Sequence, residues 1–163
     1  MFAELLDGIV VVTPSPGFAH QDALLSLALT LRQACPPGLR VLIGPFPVRL
    51  GAQTELRPDL LVARYVDLTS DRLTEPPLLA VEVAAPGTGV VDRALKKIAY
   101  ARHRVRSLWL VDPDVPALTG FQLDAGGEYV EVGHATGAGR FETSLPFPVT
   151  VVPTAMVAGL HPD

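Results

Sequence analysis

The chain reads as an α+β domain, a mixed β-sheet core flanked by helices, and three observations carry that reading. Apolar strand-like runs and two long amphipathic segments follow one another in the order strand, helix, strands, helix, strands. The run Leu78-Leu-Ala-Val-Glu-Val-Ala84 is almost continuously apolar, as a central strand covered on both faces should be. Beyond residue 118 the pattern changes to short alternating segments, 118–123 and 128–132, flanking Asp124-Ala-Gly-Gly127. That is a hairpin signal, and it predicts an additional C-terminal β-hairpin region.

The first strand is expected at Ile9-Val-Val-Val-Thr13, buried and entered from the Asp7-Gly8 turn. Thr13-Pro-Ser-Pro-Gly17 breaks it, and residues 18–34 follow as a helix. Leu24, Leu27, Ala28 and Leu31 fall at helical spacing, Leu25 and Leu29 widen the apolar face, and Pro36-Pro37-Gly38 stops the helix. Residues 40–50 and 56–63 are β-rich around a polar turn at Gln53, and a loop rich in Asp, Thr and Arg runs to Pro76-Pro77. A second helix is expected over 91–105, with Val91, Leu95, Ile98, Arg102 and Val105 as its core-facing stripe. Ser107-Leu-Trp-Leu-Val111 is another buried strand, and 147–152 is the last.

Composition narrows the classes. The 163 residues are 48% apolar and 18% charged, with a mean hydropathy of +0.34, which excludes a disordered chain. A domain of that length buries roughly two-thirds of its unfolded surface, so neither disulfides nor a structural metal is needed for folding. One cysteine, Cys35, removes disulfide frameworks and cysteine-rich zinc patterns. No apolar run approaches the roughly 20 residues of a membrane helix, and no secretory signal stands near Met1. The expectation is one cytoplasmic domain over residues 1–163. Exposed β segments in a weakly charged, apolar chain further suggest a homodimer.

The net charge of −4 disfavours a general polyanion binder. Yet Arg93, Lys96, Lys97, Arg102, Arg104 and Arg106 crowd six of the 13 basic side chains into the second helix and its end. They are either a solvated face or a set of phosphate contacts, for which Arg93, Lys97, Arg102 and Arg104 are the candidates.

Nucleophile chemistry has little to stand on. Cys35 lies at a helix end beside two prolines, and there is no Gly-x-Ser-x-Gly elbow, no His-Glu-x-x-His and no phosphate-binding loop with its lysine. The glycines of Ala85-Pro-Gly-Thr-Gly89 lack the phosphate-loop spacing and read as a turn. What stands out is a pair of acids where acids are expensive. Asp59 interrupts Leu56-Arg-Pro-Asp-Leu-Leu-Val62, and Glu82 interrupts Leu79-Ala-Val-Glu-Val83. A buried carboxylate costs several kcal/mol, roughly, unless a basic side chain or a metal accompanies it. Two such acids on neighbouring strands with a lysine nearby suit a Mg²⁺-dependent phosphodiesterase, because hard cations prefer oxygen ligands and leave room for water and a phosphate. Structural salt-bridge partners are the competing reading.

Pro58-Asp59 followed by Glu82-Val83 resembles the PD-(D/E)XK nuclease superfamily, and the ordered set of segments most resembles its Uma2 (DUF820) family of bacterial proteins. The matching pieces include Glu4-Leu-Leu-Asp-Gly8, Pro14-Ser-Pro16 with His20-Gln21, Arg57-Pro-Asp-Leu-Leu-Val62 and Val81-Glu-Val83. They continue through Asp92, Lys96, Tyr100-Ala101 and Leu108-Trp-Leu-Val-Asp-Pro113. The resemblance implies a restriction-endonuclease-like αβββαβ core and a DNA endonuclease, with Asp59 and Glu82 as ligands of Mg²⁺ or Mn²⁺. The superfamily lysine normally stands two residues after the glutamate, where this chain has Ala84; the family register instead selects Lys96 on the second helix, with Lys97 in reserve.

Asp92, Lys96 and Tyr100, four apart, form one ridge, well off the apolar stripe. His20 is a further candidate, either a site residue or a helix-start residue bonded to local backbone. His103, His134 and His161 have no spacing that raises them above surface residues. The alternatives are a catalytically inactive nucleic-acid-binding or regulatory module of the same fold, and a metal-dependent hydrolase of a small phosphorylated molecule.

Overall fold

The computed structural model describes residues 2–85 and 90–159. In chain order they form β1 (Phe2–Leu6), β2 (Ile9–Thr13), α1 (Phe18–Ala34), β3 (Leu39–Ile43), β4 (Val48–Gly51), β5 (Thr54–Leu56) and β6 (Leu60–Arg64). A 3₁₀ turn, Tyr65–Asp67, precedes β7 (Leu79–Val83), α2 (Val90–Arg102), β8 (Ser107–Asp112), β9 (Ala117–Leu123) and β10 (Tyr129–Thr136). β11 (Phe141–Thr143), β12 (Val149–Val151) and the short α3 (Pro153–Met156) complete the chain. The expected glycine turn, residues 86–89, and His161 lie outside the described residues.

A six-stranded sheet in the order β10-β9-β8-β7-β6-β3 forms the core. It is mixed: β7 and β8 run parallel, Val81 opposite Trp109, and the other pairs are antiparallel. A parallel pair needs a crossover, and α2 is that crossover. A second sheet, β2-β1-β5-β4, stands beside α2. The fold is therefore α+β with a large mixed sheet, and α1, β3, β6, β7, α2 and β8 give the αβββαβ succession.

Alternation along the strands sorts side chains between two cores. Leu79, Val81 and Val83 of β7 face α1, where they meet Leu24, Leu27, Leu31, Trp109 and Phe141. Ala80 faces the other way, with Leu108, toward Ala99 and Tyr100 of α2 and Leu6 and Leu56 of the small sheet. Two expected faces are corrected. β2 is not a buried strand: Ile9 and Val10 are both 64% exposed, because β1, which pattern alone did not reveal, pairs with it and leaves it at the sheet edge. On α1, Leu24, Leu27, Ala28 and Leu31 are buried as expected, but Leu25 and Leu29 lie exposed.

The larger correction is on α2. Of its expected stripe, Leu95 is 42% and Ile98 54% exposed and Arg102 is in solvent, while Lys96, Ala99 and Tyr100 are buried. Val105 is buried as expected but lies beyond the helix, which ends at Arg102, and the Val91 side chain lies outside the described residues. The small sheet covers this face, and two polar side chains go inside because each finds a partner there. No helix among the described residues is long and apolar enough to cross a membrane.

At the C-terminal end, Phe141 meets Trp109 edge-on, ring centres 5.0 Å apart, and lies over Gly120, where an added Cβ would fall 2.5 Å from the ring. Phe141 is buried and has no room to yield. Gly120→Ala is therefore expected to destabilise by about 1–3 kcal/mol through overpacking, read as a lower denaturation midpoint with unchanged m-value.

Candidate functional site

The strand carrying Glu82 is apolar around it, and period two determines where the carboxylate goes. Glu82 shares its side of β7 with Ala80, the side toward α2. Asp59 immediately precedes β6, and Leu60 pairs with Val81, so the register brings Asp59 beside Glu82. Close backbone packing holds the Pro58–Asp59 segment. The Gly44 N–H donates to the Asp59 carbonyl at 2.7 Å, and a Cβ on Gly44 would lie 2.5 Å from the Pro58 oxygen, an approach only glycine permits. The Asp59 carboxylate accepts the Val83 N–H at 2.7 Å, which ties it to the residue after Glu82.

Both acids line one cleft, along with Glu4, His20, Arg57, Asp92, Arg93 and Lys96. Lys96 Nζ lies 2.7 Å from Glu4 and 3.1 Å from Glu82. The three side chains are 8%, 3% and 11% exposed, so this is a nearly buried triad. The Tyr100 hydroxyl donates to the other Glu82 oxygen at 2.6 Å, and the Arg57 N–H donates to Glu4 at 2.7 Å. His20, 4% exposed, sets Nε2 3.3 Å from Asp59, while its buried Nδ1 has no hydrogen-bond partner among the described residues.

The electrostatics follow from burial. Desolvation raises the Glu82 pKa to about 7, Asp59 and Glu4 push the same way, and Lys96 and Tyr100 offset only part of it. Burial also works against the Lys96 ammonium, but Glu82 and Glu4 outweigh it and hold the amine charged, with a pKa above its ordinary value. The Tyr100 hydroxyl, buried against Glu82, has its pKa raised well above normal and stays protonated.

The sequence candidates separate clearly. Asp59, Glu82, Lys96, His20 and Tyr100 come together, and Arg93 and Asp92 stand at the cleft wall. Lys97 does not join them: its ammonium sits 3.6 Å above the Phe121 ring. Arg102 pairs with Asp7, and Arg104 lines a separate groove with Arg106 and Gln122. His103 is less of a surface residue than expected; its Nε2 is buried, 3.8 Å from Asp7. Glu4 was missed as a site residue. It shares with Leu6 the buried side of β1, a strand that sequence pattern did not show, and the Lys96 ridge that would have pointed to it lies off the expected apolar stripe, so sequence alone left its partners open.

The family model described as "Putative restriction endonuclease" matches residues 2–155. The chain belongs to the Uma2 family. Its fold is similar to that in the "Crystal structure of a putative nuclease belonging to DUF820 from Anabaena variabilis ATCC 29413 at 1.96 A resolution". The TM-score is 0.74, over 98% of this chain and 91% of that one, at 13% identity, a level at which the likeness is one of fold. A "cryoEM structure DrdV-DNA complex" aligns with 72% of this chain and 12% of that one at 14% identity; its TM-score of 0.38 is too low to bear on the comparison. No curated protein matches. In this Uma2 chain, then, the Glu4–Lys96–Glu82 triad lies at the head of a cleft inside a nuclease-type fold.

Two outcomes follow for the metal-free protein. Lys96→Met leaves Glu4 and Glu82 without their cation and should cost about 3–5 kcal/mol. Adding Glu4→Gln should recover part of that loss, a non-additivity read from denaturant melts of the single and double variants. The second concerns pH. Glu82 has a folded pKa of about 7 against an ordinary 4.5, so the folded state holds the extra proton between those values. Stability should be fully present below about pH 4.5 and fall by up to a few kcal/mol as pH rises through 7, and Glu82→Gln should flatten the profile.

Proposed function

We propose that this Uma2 protein is a divalent-metal-dependent phosphodiesterase that cuts DNA endonucleolytically, with Asp59 and Glu82 as ligands for Mg²⁺ or Mn²⁺. The observation that carries the reading is an imbalance of charge. Glu4, Asp59 and Glu82 line one cleft, and Lys96 is the ammonium that contacts two of them. Burial, with the Asp59 and Glu4 carboxylates nearby, lifts Glu82 to about 7 in spite of Lys96, so a further cation beside these acids would be favoured.

The donor set fits a hard cation. Among the described residues no group of three or more His, Cys, Asp or Glu side chains is arranged to cage an ion. A pair of carboxylates with water and a substrate phosphate in the remaining positions is, however, how Mg²⁺ is commonly held. When bound, such an ion supplies charge neutralisation at a phosphoryl oxygen and a water of lowered pKa.

The chain's own residues have separate parts in this reading. His20 Nε2 and the Val83 N–H orient the Asp59 carboxylate. Tyr100, donating to one oxygen of Glu82, fixes its rotamer. Lys96, held between Glu4 and Glu82, is a fixed positive charge in the cleft wall for an incoming phosphate. Arg93, in the cleft lining, is a phosphate contact that offsets the −4 net charge locally. The active form is a homodimer, one subunit for each strand of a duplex.

One arrangement favours a second reading, a non-catalytic module of the same fold. Both Glu82 oxygens already have partners, Lys96 and Tyr100, so this carboxylate is hydrogen-bonded without metal.

The two readings separate on Asp59→Asn and Glu82→Gln, which preserve shape and remove charge. For a nuclease, Mn²⁺ should nick supercoiled plasmid with the wild type, each variant should lose about 10²-fold or more of that rate, and each should lose the rise in melting temperature that Mn²⁺ gives the wild type. Intact plasmid and no Mn²⁺-induced stabilisation of the wild type would favour the non-catalytic module.

A further inference from the structure

The face of α1 that does not enter the core has an unusual composition. Phe18, Leu25 and Leu29 on it are 77%, 51% and 56% exposed, and Ile43 at the end of the edge strand β3 adds 46%. Solvated helix faces normally carry charge, yet the acidic and basic residues of α1 are Asp22 and Arg32, both exposed, with the leucines between them. Neither forms a salt bridge among the described residues. Read along the face, Asp22, Leu25, Leu29 and Arg32 are separated by three, four and three positions, which puts them on one stripe about 15 Å long.

That spacing is the same in both directions. A helix laid antiparallel to itself about a two-fold axis near Leu27 brings Asp22 opposite Arg32 of the partner subunit, and Leu25 opposite Leu29 of the partner subunit. Phe18 then faces the exposed Pro36 of the partner subunit, one step beyond the end of α1. Every contact occurs twice, acid on base and apolar on apolar. This is the property an isologous interface requires and an unrelated partner does not.

We propose that the outer face of α1, extended by Ile43, is the homodimer interface of this protein, formed by antiparallel pairing of α1 with α1 of a second copy. The proposal rests on the homodimer named above but not on the chemistry of the cleft. Its consequence for the site is positional. Gln21 and Leu24 line both the acidic cleft and the groove beside this face, so the same helix borders the cleft and the subunit contact. Pairing about α1 places the two clefts on either side of one shared helix pair.

Sedimentation equilibrium at micromolar concentration tests this, with circular dichroism to check folding of each variant. The wild type should run at twice the 17.3 kDa chain mass. Leu25→Glu with Leu29→Glu should give a folded monomer. Asp22→Arg alone, and Arg32→Asp alone, should each weaken dimerisation by roughly tenfold or more, since each reversal creates two like-charge contacts per dimer. The double reversal, Asp22→Arg with Arg32→Asp, should restore it. A control pair on the exposed edge strand, Val10→Lys with Val12→Lys, should leave the dimer intact.

A monomeric wild type overturns the proposal. So does a dimer that survives the leucine changes, one whose charge reversals fail to rescue each other, or one that the β2 control abolishes. A dimer that behaves as expected but neither binds Mn²⁺ nor cuts DNA would leave the interface standing and remove the nuclease reading; a monomer that cuts DNA would do the reverse.

Discussion

The Lys96 ammonium, 2.7 Å from Glu4 and 3.1 Å from Glu82, ties together three pieces of chain that meet nowhere else in this way: β1 of the small sheet, β7 at the centre of the large one, and the crossover helix α2. Burying that charge is tolerable because two carboxylates share it, and burying the carboxylates is tolerable because it is there. The pair interaction therefore determines which side of α2 faces inward. Once Lys96 is inside, Tyr100 one turn later must be inside too, and its hydroxyl finds Glu82. Leu95 and Ile98, which a helical wheel would bury, are left in solvent. An electrostatic requirement has overruled a hydrophobic one in the orientation of a helix.

The surroundings of the triad serve to hold it in register. Glu4 is steadied by the Arg57 N–H, Asp59 by the Val83 N–H, and the turn before β6 by the close approach of Gly44. Backbone N–H groups thus anchor Glu4 and Asp59 to strands, while Lys96, Tyr100 and His20 complete the arrangement through their side chains. The remaining cost is burial of Glu82 beside two other carboxylates, which lifts it to about 7 and supports the metal-site reading proposed above. A core built for stability alone would have balanced its charges.

The helix on the opposite layer divides its surface differently. One side of α1 supplies Leu24, Leu27 and Leu31 to the core, and its first turn sends His20 to Asp59. The third side is the apolar stripe bracketed by Asp22 and Arg32. In the interface proposed above, packing, candidate site and subunit contact would occupy three sides of one helix, and its apolar positions outnumber those its own core buries. Sequence pattern read Leu25 and Leu29 as a wider core face, since apolar periodicity registers burial without saying whether the covering surface belongs to the same chain.

Some of this protein was determined by its sequence alone. Asp59 and Glu82 are conspicuous because a charge inside an apolar run has a cost that local pattern exposes, although the structure puts Asp59 just before β6 and not within a strand. The limits of α1, the central position of β7, the buried strand β8 and the β9–β10 hairpin were legible for the same reason: each depends on periodicity and turn chemistry within a few residues. Other features only the tertiary structure decided. β1 and its Glu4 could not be read because a five-residue segment with one acid has little periodicity. The inward turn of Lys96 could not be read because a lysine on a helix is solvated by default, and it becomes buried only when two carboxylates some 90 and 14 residues away in the chain converge on it. Local sequence encodes the energy of single side chains against water; the energy of a buried charge depends on partners that folding alone brings within reach.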